Sequence, residues 1–239
     1  SAVTGLNSDN ITNIQTLLTA GNDTNQFTNT SFGSLTAVTV SDANLDGSKL
    51  ADAIDQAIIA TSNTNTVFTI SDATTITGSE ANFTALLTDE TNSQISITDQ
   101  NLTVNTGTIS VDNANLLAAT TTGKLTASID VTETVTELAT LSADGGTNDL
   151  TVVIRSDDAT AATAAQLNTI NAATAVAVDL TNVTALAASS LSDLGTLATA
   201  ITNNEFSNDD GLTTIAVTDT TIDATTLATR IDSYDTING

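Results

Sequence analysis

The chain has no histidine, cysteine, proline, methionine or tryptophan among its 239 residues. Without histidine it lacks the commonest general base and the commonest imidazole metal ligand. Without cysteine it has neither disulfides nor thiol chemistry, and cysteine pairing gives no sign of its redox compartment. Missing proline suits parallel strands, in which every residue can be needed as a backbone donor. Basic residues are almost absent too: four Lys and Arg stand against 28 Asp and Glu, for a net charge of -24. Nucleic acid and anionic membrane surfaces are therefore excluded as expected partners, because phosphate binding needs clustered Lys and Arg. No apolar run approaches the length of a membrane helix, and "SAVTGLNSDN" carries no basic segment followed by an apolar one. A first residue of Ser rather than Met leads us to expect a processed form or a piece of something larger.

What is present is small and aliphatic. The chain is 40% hydrophobic but only 3% aromatic, so its core is thin and built from Val, Ile, Leu and Ala. Such a core suits stacked repeats better than a globule. A phrase recurs accordingly: "TAVTVSDANLDGSKLADAID" from Thr36, "TVFTISDATTITGSEANFTALL" from Thr66 and "TTIAVTDTTIDATTLATRID" from Thr213. Each copy has apolar residues two apart followed by an Asp (Val38, Val40, Asp42; Phe68, Ile70, Asp72; Ile215, Val217, Asp219). A further apolar residue follows, Leu45, Ile76 or Ile222, and then the period lengthens to three or four, as in Leu50 with Ile54. The unit reads as strand, turn and short helix.

Weaker copies place marker carboxylates at Asp99, Asp130, Asp157 or Asp158, and Asp179, with a loose period near 27 residues. Self-similarity at that period predicts a repeat solenoid, mainly a parallel β-solenoid with short helices on one side. An all-β sandwich is the alternative, although paired turn signals occur only around residues 105–112. Residues 1–35 are expected to form a degenerate unit or cap. Its strand is missing or degenerate, Ser8 or Asp9 is the N-cap, and Ile11, Ile14, Leu17 and Leu18 share one helix face. Stacked repeats are expected over 36–202, an inserted loop over 203–211 ("NNEFSNDDGL" extends one residue further), and a final repeat over 212–239 that continues into a neighbour or the next module.

"AAQLNTINAATAVAVDLTNVTAL" (164–186) and "GLTTIAVTDTTIDATTLATRIDSYDTING" (211–239) resemble the tandem repeats of very large, acidic, Thr- and Ala-rich surface proteins of marine cyanobacteria and related bacteria. The resemblance implies an extracellular, non-catalytic role in a surface layer, adhesin or filament, and carries over no individual residue. Joining the last residues to the first gives "DTINGSAVTGLNSDNITNI", which is similar to residues 168–186. Head-to-tail contact with a further copy, or with adjacent modules of the same chain, is the expected partnership. Ile11, Ile14 and Leu18 at one end and Leu227, Ile231 and Ile237 at the other would form the junction.

Little catalytic chemistry is available, and no enzymatic activity is expected. Ser48 and Lys49 are neighbours on a helix start, where adjacent side chains point apart, so Lys49 reads as solvated. In "VIRSDD", Arg155 with Asp157 and Asp158 is similar to the basic residue and calcium-bound carboxylates of polysaccharide lyases. The competing reading is that Arg155 neutralises crowded carboxylates at a strand end. A calcium-dependent carbohydrate-binding or polysaccharide-degrading protein is thus the alternative function. A calcium cofactor is considered because Asp, Asn, Ser and Thr crowd the turns, and hard cations take oxygen ligands. Its candidate ligands are the marker residues Asp42, Asp72, Asp99, Asp130, Asp179 and Asp219. Their structural reading is an Asx-turn that accepts backbone N–H groups and ends the strand. A flat Thr array of the ice-binding kind is disfavoured by the uneven repeat length.

Overall fold

The computed structural model describes residues 3–23, 32–61, 66–142, 147–223, 225, 226 and 228. The chain divides into two compact units, Ser1–Thr108 with Ala119–Lys124, and Ile109–Ala118 with Leu125–Gly239.

The first unit begins with β1 (Gly5–Asp9), α1 (Ile11–Asn22), β2 (Ala37–Val40), β3 (Asn44–Asp46) and α2 (Gly47–Thr61). It continues with β4 (Val67–Thr69), β5 (Thr75–Ser79), α3 (Glu80–Thr91) and β6 (Asn101–Thr106). Two sets of parallel strands form, β1–β2–β4 and β3–β5–β6. Registers such as Val38 opposite Phe68 and Leu45 opposite Ile76 bring the recurrent apolar positions side by side. These residues are almost wholly buried: Val38 is 0% exposed, Val40 1%, Leu45 1% and Ile76 0%. Helix starts are written locally. Asn10 accepts the Asn13 N–H, and Ser79 forms a capping box with Asn82. Helices α1 and α2 pack against each other.

The second unit contains α4 (Val111–Thr120, its last two residues counted with the first unit), β7 (Leu125–Ser128), α5 (Val135–Leu138), β8 (Asp149–Thr151) and α6 (Ala164–Ala172). After these come β9 (Val178–Asp179), β10 (Ala185–Ser189), α7 (Leu191–Thr202), β11 (Phe206–Ser207) and β12 (Thr214–Val217). Strands β7 and β8, β9 and β11, and β10 and β12 pair in parallel. Thr134 and Thr163 form capping boxes with Glu137 and Gln166, starting α5 and α6.

These observations correct the expected fold class. Among the described residues the chain is a mixed α/β fold of seven α-helices and short parallel sheets, with no closed or solenoid sheet, so it is not a mainly parallel β-solenoid. The all-β sandwich falls with it. The reason lies after the β-branched pairs, where apolar residues at spacings of three and four, backed by good N-caps, extend into helices of up to 15 residues. Strands, by contrast, are two to six residues long. Leu45 and Ile76 also occupy strands of their own, β3 and β5. The recurrent phrase is therefore strand, corner, strand, helix.

Two smaller expectations change. The N-terminal segment does have a strand, β1, although only Leu6 within it is even partly covered. The stretch 203–211 is not merely a loop, because Phe206 is buried and lies opposite Val178 in the β9–β11 pair.

A buried polar residue recurs at strand entrances in both units. In the first, Thr66 Oγ1 donates to the Leu35 carbonyl at 2.9 Å and Thr121 Oγ1 to the Gln100 carbonyl at 2.7 Å. In the second, Asn148 Oδ1 accepts the Leu125 N–H at 2.9 Å, and Thr174 Oγ1 donates to the Leu150 carbonyl at 2.8 Å. Each supplies a partner where water cannot reach, and an unmet buried group would cost about 1–3 kcal/mol.

Candidate functional site

The acidic residues were the only abundant candidates for chemistry, and the structure shows several engaged with the backbone. An α-helix leaves its first N–H groups without intrahelical partners. In five helices the first of these is accepted by a side chain from the following segment. The Ile11 N–H donates to Asp42 Oδ2 at 2.6 Å, 31 residues on, and the Leu191 N–H to Asp219 Oδ2 at 2.7 Å, 28 residues on. Val111 donates to Glu133 at 3.0 Å, Val135 to Asp158 at 2.8 Å, and Ala164 to Ser189 Oγ at 2.9 Å. A carboxylate also suits the positive end of the helix dipole.

The six marker carboxylates do not share one role. Asp42 and Asp219 fasten helix starts, as above. Asp130 forms an Asx-turn, accepting the Thr132 N–H and hydroxyl, each at 2.9 Å. The Thr132 N–H, and then its hydroxyl, hold the Asp130 carboxyl below its ordinary pKa. Asp179 accepts the Thr181 N–H at 2.8 Å and Asn208 Nδ2 at 2.9 Å. Asp99 accepts Gln100 Nε2 at 2.8 Å, while Asp72 is exposed. Among the described residues no three carboxylates gather as a metal-holding group.

Other charged candidates resolve similarly. Arg155 Nε meets Asp158 Oδ2 at 2.9 Å, and its Nη1 donates to the Thr132 carbonyl at 3.1 Å. Because the same Asp158 oxygen accepts the Val135 N–H, Arg155 balances a carboxylate that starts α5. Lys49 Nζ donates to Thr12 Oγ1 at 2.9 Å, across to α1 rather than to Ser48. The Ser48 N–H is itself held by Asp46.

The expected junction residues Ile11, Ile14 and Leu18 are 3%, 2% and 0% exposed, buried in the first unit. Leu227, Ile231 and Ile237 lie outside the described residues.

Among the described residues, two open grooves have glutamates in their walls. One, of about 580 Å³, lies in the first unit beside Phe68, Ile70, Glu90, Ile95 and Asp99. Its Glu90 accepts the Ile97 N–H at 3.0 Å. The other, of about 430 Å³, lies in the second unit and is lined by Asn168, Asn171, Thr199, Asn203 and Glu205. Glu205 receives Asn171 Nδ2 at 2.6 Å and Asn203 Nδ2 at 3.2 Å. Each groove presents oxygen-rich walls, and its glutamate already accepts protein hydrogen bonds.

Sequence reasoning anticipated the Asx-turn role of Asp130 and the balancing role of Arg155. It missed Asp42, Glu133, Asp158, Ser189 and Asp219 as caps for a preceding helix. A usable signal was present in the acceptor side chains that recur 22 to 31 residues after a helix start. No protein-family model, curated protein or solved structure matches the chain.

Proposed function

We propose that the chain is a structural protein of the cell exterior, a module of a surface layer, adhesin or filament whose work is assembly and not catalysis. The observation that carries this reading is the use of acidic side chains as fasteners between successive segments, as at Ile11 with Asp42 and Leu191 with Asp219. A chain with no His or Cys, several of whose carboxylates are tied to backbone N–H groups, has few of the side chains that commonly move protons. Its net charge of -24 keeps molecules apart at low salt and lets screening cations bring them together. The likeness of 164–186 and 211–239 to acidic surface-protein repeats points the same way, with end-to-end partners that are copies of the chain or adjacent modules.

Electron microscopy of the purified chain, with calcium and with chelator, tests the proposal. Ordered fibres or sheets are expected as calcium is raised. Solution scattering that shows a monodisperse monomer at high concentration in both conditions refutes self-assembly.

A further inference from the structure

Residues near the start of the chain recur near its end as a structure as well as a pattern. Gly5, Leu6 and Asp9 of β1 face Ala37, Val38 and Val40 of β2, with a register shift between Leu6 and Asp9. Ala185, Leu186 and Ser189 of β10 face Thr214, Ile215 and Val217 of β12, with the same shift between Leu186 and Ser189. Helices α1 and α7 follow, each of 12 residues, capped by Asn10 and Ser190 at the equivalent place. The first N–H of each helix goes to the Asp two residues after its paired strand, Asp42 or Asp219. Further on, Asp46 accepts the N–H groups of Ser48 and Lys49, and Asp223 those of Thr225 and Thr226. Residues 5–22 thus correspond to 185–202, an offset of 180. This differs from the match seen on joining the termini, which aligns Ile11 with Val183; the structure aligns Ile11 with Leu191.

The two occurrences differ in what covers them. Strand β2 has β4 on its outer edge, and β3 has β5. Val40 and Leu45 are 1% exposed, whereas their counterparts Val217 and Ile222 are 40% and 37% exposed. Among the described residues β12 pairs with β10 alone. Among the described residues, the first occurrence has flanking strands that the second lacks.

We infer that the outer edge of β12, with Val217 and Ile222 beside it, is a docking edge for a parallel strand segment of the β4–β5 type. Its occupant carries the pattern "TVFTISDATTITGS", residues 66–79, in which Phe68, Ile70 and Ile76 supply the covering side chains. Main-chain hydrogen bonds give such an addition its affinity and the alternate side chains its selectivity. A segment of the β1–α1 type is the wrong occupant, because in this register it belongs on the other side of β12, where β10 lies. The inference stands whether or not the protein acts at a cell surface.

The test uses the full chain with synthetic peptides of residues 66–91 and 3–22, read by amide hydrogen exchange over 214–222. The 66–91 peptide is expected to slow exchange there about tenfold at saturation, and the 3–22 peptide to leave it unchanged. Val217→Lys, at an already exposed position, should remove the protection while leaving exchange elsewhere as in the parent. No protection by 66–91, or equal protection by both peptides, overturns the inference.

Discussion

Replacing Asp89 by Asn should stabilise the protein near neutral pH. Phe83, Leu86 and Asp89 are the buried residues of α3, three apart on one face, so the carboxyl occupies a place where an apolar side chain would serve. Burial, and then the charge of Asp55 on α2, push its pKa up from 3.8 to about 6. A raised folded-state pKa on an acid means that ionisation opposes folding. The penalty is present in full above about pH 6 and is relieved as pH falls toward 4. The rise from 3.8 to about 6 corresponds to a penalty on the order of 1–3 kcal/mol, its upper end set by 1.36 kcal/mol for each tenfold change in the ionisation constant. Urea unfolding of the parent and Asp89→Asn at pH 7.5 and pH 4 measures it. The variant should be more stable at pH 7.5 and lose most of that advantage at pH 4. A variant no more stable than the parent at pH 7.5, or one whose gain is the same at both values, refutes the reasoning.

Asp42→Ala removes the acceptor of the Ile11 N–H and should lower stability by about 1–3 kcal/mol, seen as a lower urea midpoint with unchanged slope. Asp72→Ala, at an exposed position, should change stability by less than about 0.5 kcal/mol in the same assay. Gly123→Ala should be strongly destabilising, because a Cβ there would lie 2.6 Å from the Gln100 carbonyl carbon and 2.8 Å from the Asp99 carbonyl oxygen; a thermal midpoint like the parent's would contradict the close approach. Calcium should raise the thermal midpoint relative to chelator at equal ionic strength if the folded form binds it selectively, and an equal effect of magnesium would identify loose screening instead.

What the sequence revealed and what it hid follow from the range of the forces involved. Val38 with Val40 and Phe68 with Ile70 were legible because alternation marks a half-buried strand, and all four are buried. Strand β1 was not, since "GLNSD" has a single apolar residue and is held by its neighbour's backbone more than by side-chain burial. The β11 pairing escaped notice for a similar reason: two residues, one of them Phe206, are too few to show a period. The fold class went wrong because the extent of the helices depends on caps and packing that weigh more than β-branched composition, as α2 and α7 show. Of the candidate sites, the Asx-turn at Asp130 could be read from adjacent residues. The grip of Asp158 on Val135 spans 23 residues and becomes visible only when the segments are folded together.

That grip has a direction. In every one of the five long-range helix caps, the acceptor lies downstream of the helix it fastens, by 22 residues at the shortest and 31 at the longest. A chain made from its N-terminus at about 5–20 residues per second therefore leaves each such helix start unfastened for about 1–6 s after it is made. Order is completed one segment behind synthesis. Each of those five helices waits for residues not yet made, so while one of them is the newest the growing chain carries an unfastened helix start nearest the site of synthesis.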